Sequence, residues 1–415
     1  MRSIDEINER IRRGEAVVLT AEELKGMVRK GEAVRLEDVD VVTTATCGLM
    51  SGTAAILTVP VAERGAFDRA EEAWLNGVPA IPGPCPNERL GMVDLIVYGT
   101  AHASHNYGGG HLFRDLVEGK PVNVKVRAGG RVFERDVTLS EMPFARMFTT
   151  RTAFKNYAAF VNTREGSVKT IFSVTGLKGP LREATVSGTG EVNPLENDPE
   201  MRTVGVGTRI LVNGGVGYVV GEGTRSSREH PNLSVVAEMK GMKPEFMGGF
   251  VTSSGPECIT SIAVPIPVLD EEVLENLKVL DEDVRLPVVD VHSRLPIAES
   301  SYAQVWQGAE LEVRFDTGKC ADCKLSVCKA EKYCPTGAFS KVKGIDKRRC
   351  ANCCTCLYVC PEQDFKGCGS ITVKGREVPV VLRQSNRSRA NLLARRLKRL
   401  IEAGEFLLAK PTPLR

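Results

Sequence analysis

The chain has 415 residues, 42% of them apolar and 26% charged, globular values that exclude disordered, collagen-like and coiled-coil classes. Its 55 basic and 52 acidic residues leave a net charge of +3, which gives no overall footprint for nucleic acid. No apolar run approaches the roughly 18–20 residues that span a bilayer, and the opening MRSIDEINERIRRGEAVVLT has no signal-peptide core. The expectation is a cytoplasmic protein that contacts neither nucleic acid nor membrane.

Ile4, Ile7 and Ile11 recur at helical spacing, and Thr20 is placed to cap a second helix over Ala21–Arg29. From Val39 the texture changes to short apolar runs such as AAILTVPVA and MVDLIVYG, which fit buried strands. Residues 120–140 alternate on both sides of Gly129–Gly130, a hairpin pattern, and TRILVNGGVGYVV repeats it around Asn213–Gly214–Gly215. Glu141–Val161 reads as a helix and Glu271–Leu280 as a short acidic one. AELEVRF (309–315) and REVPVVLRQ (376–384) read as extended segments. A basic helix over Asn386–Ala403 follows, with Ala390, Leu393, Leu397 and Leu400 on one face. Its stretch 383–399 holds seven Lys/Arg and no acid, which suits either a solvated helix docked by its apolar stripe or a surface for an acidic partner.

The cysteines are unevenly spread. Three of the 13 lie in the first 319 residues and ten crowd between 320 and 368. An odd count cannot pair fully within one chain, and cytoplasmic proteins seldom keep structural disulfides. The crowded segment contains Cys350-x2-Cys353-x2-Cys356-x3-Cys360-Pro361, the spacing of bacterial-type ferredoxins. A stretched version of the same order precedes it, Cys320-x2-Cys323-x4-Cys328-x5-Cys334-Pro335. Paired CxxC motifs also occur in zinc sites, but zinc does not call for the Cys-Pro exchange. The resemblance to ferredoxins implies two [4Fe–4S] clusters. One would be held by Cys320, Cys323, Cys328 and Cys360, the other by Cys350, Cys353, Cys356 and Cys334. Cys354 reads as a bystander and Cys368 as a replacement ligand at most. The organisation expected is a mixed α/β (α+β) catalytic domain over 1–315, a ferredoxin-like domain over 316–372, and a C-terminal strand and basic helix over 373–415.

In the large domain Cys47, Cys85 and Cys258 all sit in turn-rich contexts: TATCGLMSGT, GPCPNERLG and FVTSSGPECITS. Glycine, proline and hydroxyl neighbours suit either inert core thiols or a shared active site. Three thiols without a fourth could also hold a third [4Fe–4S] cluster with one iron open. His102, His105 and His111 lie in YGTAHASHNYGGGHLF, where His102 and His105 are candidates for proton transfer. The loop GTRSSREHPN offers Arg225, Arg228 and His230 to an anionic head group, with Arg209 in support. GVGTR and GEGTR lack the spacing of a dinucleotide-binding turn.

TTATCGLMSGTAAIL, YGTAHASHNYGGGHLF, GVGTRILVNGGVGYVVGEGTRSS and MGGFVTSSGPE resemble the homocysteine-biosynthesis family of methanogens. Over essentially its full length the chain looks like the branch called methanogenesis marker protein 16. The family resemblance implies conversion of aspartate semialdehyde and sulfide to homocysteine. The branch implies reductive thiolation of sulfoacetaldehyde to coenzyme M (2-mercaptoethanesulfonate), with an external electron donor feeding the clusters. Cys47 matches the family's amino-terminal cysteine, and the sulfur could ride on it as a persulfide. A second family cysteine has no counterpart near VNVKVRAGGRVFERD, which points to Cys85 and Cys258 as replacements. A non-catalytic electron carrier is the alternative from another class, and a homo-oligomer is compatible with either.

Overall fold

The computed structural model describes residues 2–83, 88–320, 323, 325–362, 365, 366 and 368–414. Helix Ile4–Arg13 starts at Ser3, whose hydroxyl accepts from the Glu6 N–H while the Glu6 carboxylate accepts from the Ser3 N–H. Thr20 and Glu23 form the same capping box at Ala21–Arg29. Both expected helices thus begin where side chains satisfy the first free amides.

Beyond them the chain is mostly strands. Among the described residues these form one sheet of 14 strands and a second of six. Val41–Leu49 pairs antiparallel with Gly255–Pro267, setting Cys47 opposite Ser261 and Leu49 opposite Ile259. Every residue of Gly255–Pro267 after Gly255 is buried, since apolar clusters cover both faces of this pair. A strand buried on both sides needs an unbroken apolar and β-branched run, and CITSIAVPIP supplies it. Thr53–Pro60 and Met92–Tyr98 pair as the apolar runs lead one to expect. The hairpins Val122–Ala128/Arg131–Val137 and Arg209–Val212/Gly215–Glu222 turn where the glycines predict.

The expected helix at Glu141–Val161 is instead two strands, Phe144–Thr152 and Ala158–Val161. The first buries Ala145, Met147 and Thr149 on one face between Thr53–Pro60 and Leu233–Glu238. Its Ala, Arg and Met content favours helix locally, but pairing on both edges overrides that propensity. Smaller differences concern boundaries. The helix after the glycine triplet starts at Gly109, three residues before Leu112. The acidic helix ends at Asn276, and only Arg314–Phe315 of 309–315 is paired.

The chain's end is woven into its middle. Arg376–Arg383 runs parallel to Ala184–Ser187 in the six-stranded sheet. Asn386 then caps helix Arg387–Glu402, and its own N–H donates to the Cys47 carbonyl at 2.9 Å. The helix lays Ala390, Leu393, Leu397 and Ile401 over the Cys47 face of the large sheet, with Leu400 only partly covered. Arg395 and Lys398 pair with Glu22 and Glu23, which supports the docked reading of this basic helix. Its first residue, Arg387, is buried between Glu191 and Asp281, at 2.6 and 2.5 Å. Among the described residues no helix is long and apolar enough to cross a membrane.

Candidate active site

Cys47 is fully buried near the end of Val41–Leu49. Because alternate residues of a strand face opposite ways, Cys47, Leu49, Ser261 and Ile259 share one face. Cys47 and Ile259 accordingly belong to the cluster under the terminal helix. Burial pushes the Cys47 thiol up, and the guanidinium of Arg389, together with Ser261, pulls it back. Arg389 also donates to the carbonyls of Cys350 at 2.7 Å and Arg348 at 3.2 Å. Cys353 packs in the same apolar cluster as Cys47, so the large sheet's thiol abuts the cysteine-rich segment.

Cys258 faces the other way. It lies in the separate core cluster on the far side of the sheet, and burial pushes its thiol up to about 12. A shared site of Cys47 and Cys258, and a third cluster held by both, are therefore corrected: the pleat sends their side chains to opposite faces. Cys85 lies outside the described residues.

A cleft of about 1010 Å³ opens where the strand carrying Cys47 ends. Leu49, on the Cys47 face, lines it together with Ser51, Gln384 and Glu257. The expected anion loop contributes Arg225, Ser227 and His230. Arg151 joins them from the strand misread as helix, stacked over Phe154 and Tyr157 at 4.6 and 5.7 Å. Arg294 enters from the six-stranded side, 4.4 Å over Phe172. Burial lowers the pKa of Arg151 and the like charge of Arg225 lowers it further, while the buried Arg151 Nε has no hydrogen-bond partner. Two neighbouring guanidiniums in that state favour an anion between them. Glu257 accepts from Ser51 at 2.7 Å, and burial raises its pKa.

Other candidates fall elsewhere. Arg209 stacks on Phe406 at 4.4 Å and donates to the Leu407 carbonyl. Arg228 is exposed and meets Glu200 at 3.9 Å. Both are corrections: Arg228 turns away because a loop fans its side chains apart, and Arg209 belongs to the strand Arg209–Val212 and packs its side chain on the chain's C-terminal segment instead. His102 and His105 are exposed around the small hairpin His102–Ser104/Tyr107–Gly108, and neither lines the cleft. Residues that sequence reasoning missed are Arg151, Arg294, Glu257 and Arg389. The first sits in the misassigned segment, and Arg389 looked like one more charge on a solvated helix.

In the cysteine-rich segment the side chains gather as two quartets. Cys320, Cys323, Cys328 and Cys360 wall one small cavity, and Cys334, Cys350, Cys353 and Cys356 wall another together with the disulfide-bonded Cys354. The fourth member of each comes from the other sequence motif. The Ala338 and Asn352 N–H groups donate to Sγ of Cys334 and Cys350 at 3.2 and 3.4 Å. Among the described residues no group of three or more His, Cys, Asp or Glu forms a site for a single metal ion. Cys354 and Cys368 are joined as a disulfide, with Cα atoms 6.0 Å apart. This corrects the reading of Cys368 as a replacement ligand.

A profile of the family described as "Homocysteine biosynthesis enzyme, sulfur-incorporation" matches residues 16–408. The chain belongs to that family. Among similar proteins, an uncharacterized protein of Methanothermobacter thermautotrophicus is 48% identical over 98% of this chain and 94% of its own length. An L-aspartate semialdehyde sulfurtransferase of Methanocaldococcus jannaschii is 34% identical over 83% of this chain and 68% of its own. A Methanosarcina acetivorans protein of the same name is 31% identical over 75% and 64%. No solved structure matches. The family's matched span takes in both Cys47 and the cysteine quartets, so the thiol, the cleft and the cysteine-rich segment fall within one family unit.

Proposed function

We propose that this chain is a sulfurtransferase that turns an anionic aldehyde into a thiol. One aldehyde R–CHO, one hydrogen sulfide, two electrons and two protons give one thiol R–CH2–SH and one water. The observation that carries this reading is the Arg151–Arg225 pair in the cleft beside the Cys47 strand. Two guanidiniums and the Ser227 hydroxyl suit the three oxygens of a sulfonate, which favours sulfoacetaldehyde as substrate and coenzyme M as product. Aspartate semialdehyde is the second reading. It is supported by the activity that the 34% and 31% identical relatives are named for and by Glu257, a carboxylate in the same cleft for an ammonium group.

In this scheme sulfide adds to the bound carbonyl and water leaves, giving a thioaldehyde. The Cys47 thiolate, favoured by Arg389, adds to its sulfur as the carbon takes a proton. The resulting Cys47–S–S–CH2R disulfide is opened by two electrons and two protons, restoring Cys47 and releasing the thiol. A persulfide on Cys47 would instead demand four electrons per product, because sulfane sulfur lies two electrons above sulfide.

Two [4Fe–4S] clusters fit the residues present: each cavity is walled by four free cysteines, and N–H groups point at Cys334 and Cys350. Bound there, such clusters supply single electrons from an external donor. The quartet of Cys350 and Cys353 is the one nearest Cys47 through Arg389 and the shared apolar cluster.

The test is to incubate reduced, anaerobically prepared protein with sulfide and each aldehyde and identify thiols by mass spectrometry. Coenzyme M from sulfoacetaldehyde supports the first reading, and homocysteine from aspartate semialdehyde alone supports the second. No thiol from either, with about eight irons per chain, makes the protein an electron carrier.

A further inference from the structure

We propose that a second cavity, lined by the Arg389 that acts on Cys47, is the holding site for hydrosulfide. This assignment rests on the sulfur-transfer reading above. The cavity measures about 180 Å³, under a fifth of the cleft. Ile259 lines it, and Ile259 is the register partner of Leu49, which lines the cleft. The two cavities therefore reach the same face of the same strand pair, one step along from Cys47 and Ser261. Two cavities that meet at one register pair beside Cys47 suit a reaction with two unlike substrates.

The chemistry of the walls selects a small anion. Arg389 lines the cavity, is only 5% exposed, and has an Nη1 with no hydrogen-bond partner. Its other bonds go to neutral carbonyls of Arg348 and Cys350, so no carboxylate offsets its charge there. The other charges around the cavity are engaged. Arg114 pairs with Glu118 at 2.8 Å, and Arg349 meets Glu118 at 3.6 Å and Asp346 at 3.9 Å. Asp115 takes the Tyr107 hydroxyl at 2.8 Å and Lys120 at 2.7 Å. What is left over is one buried cation with an unused donor.

His111 completes the wall. Its Nδ1 accepts from the Gly108 N–H at 3.2 Å, which fixes the neutral tautomer with the proton on Nε2. The ring stacks on Tyr107 at 5.6 Å. A neutral donor and a guanidinium around a space of this size match a soft monoanion such as HS−, which needs a cationic host. From here HS− reaches the carbonyl carbon of the bound aldehyde and forms the new C–S bond; its own proton and one more from solvent carry the carbonyl oxygen away as water.

Two measurements test the assignment. Arg389→Lys and His111→Phe should raise the KM for sulfide by about tenfold or more, the effect of losing a charge-assisted hydrogen bond, while the KM for aldehyde stays put. Equal shifts in both constants, or a shift in the aldehyde constant alone, overturn it. The wild-type protein, crystallised anaerobically with bromide as a spherical stand-in for HS−, should show an anomalous peak beside Arg389 Nη1. Bromide bound elsewhere but absent there also overturns it. Absence of any thiol product would remove the sulfur-transfer reading, yet the bromide result would still decide whether this cavity is an anion site.

Discussion

Cys47 and Cys258 are both fully buried thiols on neighbouring strands, and their sequence contexts look alike. Their surroundings are not. Cys258 packs among aliphatic side chains, with nothing nearer than Thr260 and a carbonyl to stabilise a thiolate. Cys47 lies a short way along the register on the other face, against Arg389 and the cysteine-rich segment, one same-face register pair from Leu49 and Ile259, which line the two cavities. Burial raises both thiols, but only Cys47 has a guanidinium against it to lower the cost of ionisation. A thiol's neighbours across the fold set its reactivity, and residues adjacent in sequence say little about them.

The sharpest way to break this contrast is to remove each sulfur in turn. Cys47→Ala should lower thiol formation by about a thousandfold or more, as loss of a covalent participant does. Cys258→Ala should keep the activity and lose about 1–2 kcal/mol in urea unfolding, the cost of a small core cavity. Comparable loss of turnover in both variants would put the two thiols back into one site.

The cleft and the Cys47 pocket are distinguished next. Arg225→Ala and Arg151→Met should each raise the KM for the aldehyde by about 10–100-fold, the worth of a hydrogen bond to a charged group, with the KM for sulfide unchanged. Steady-state kinetics in both substrates reads this directly. An unchanged aldehyde constant in both variants means that the head group binds elsewhere.

Much of this was legible in the sequence, and unevenly so. The cysteine motifs at 320–360 are local in sequence, and the free cysteines that the ferredoxin resemblance groups together do line the same small cavities. The Arg225–His230 loop was readable for the same reason. Arg151 was hidden because FARMFTTRT has helical propensity, and only its partners on both edges make it a strand. Arg389 lies more than 340 residues from Cys47 in sequence, and nothing local signals that the helix start returns to that thiol. The opposite orientation of Cys47 and Cys258 follows from strand register, which no single strand's sequence determines.

A moderate effect probes how tightly the Cys258 face is packed. Gly110 leaves room for the backbone of Cys258: a Cβ there would come within 2.9 Å of the Cys258 Cα and 2.8 Å of the Gly248 carbonyl oxygen. Gly110→Ala should therefore cost about 1–3 kcal/mol by overpacking, measured as a drop in the urea midpoint. Gly249, the register partner of Cys258, performs the matching service for the His111 ring, which a Cβ would strike. Gly249→Ala should displace that ring and raise the sulfide constant, whereas Gly110→Ala should not.

The smallest effect is a pH dependence at the small cavity that His111 lines. Burial holds His111 at about 4 in the folded chain, against 6.5 for a free imidazole, with Asp115 only partly opposing. Between those values the unfolded chain binds a proton that the folded chain does not. The stability gained by keeping His111 neutral is complete above about pH 6.5 and is lost as pH falls through about 4. His111→Gln removes this term, so the difference in unfolding free energy between wild type and variant should shrink as pH drops from 7 to 5. Screening at the cavity mouth limits the change to the order of 1 kcal/mol. Glu257 and Asp281, whose pKa values burial raises, act in the opposite sense in both proteins and cancel in that difference. A difference that stays constant with pH would mean that His111 takes up its proton at the same pH folded and unfolded, and that burial does not hold it neutral.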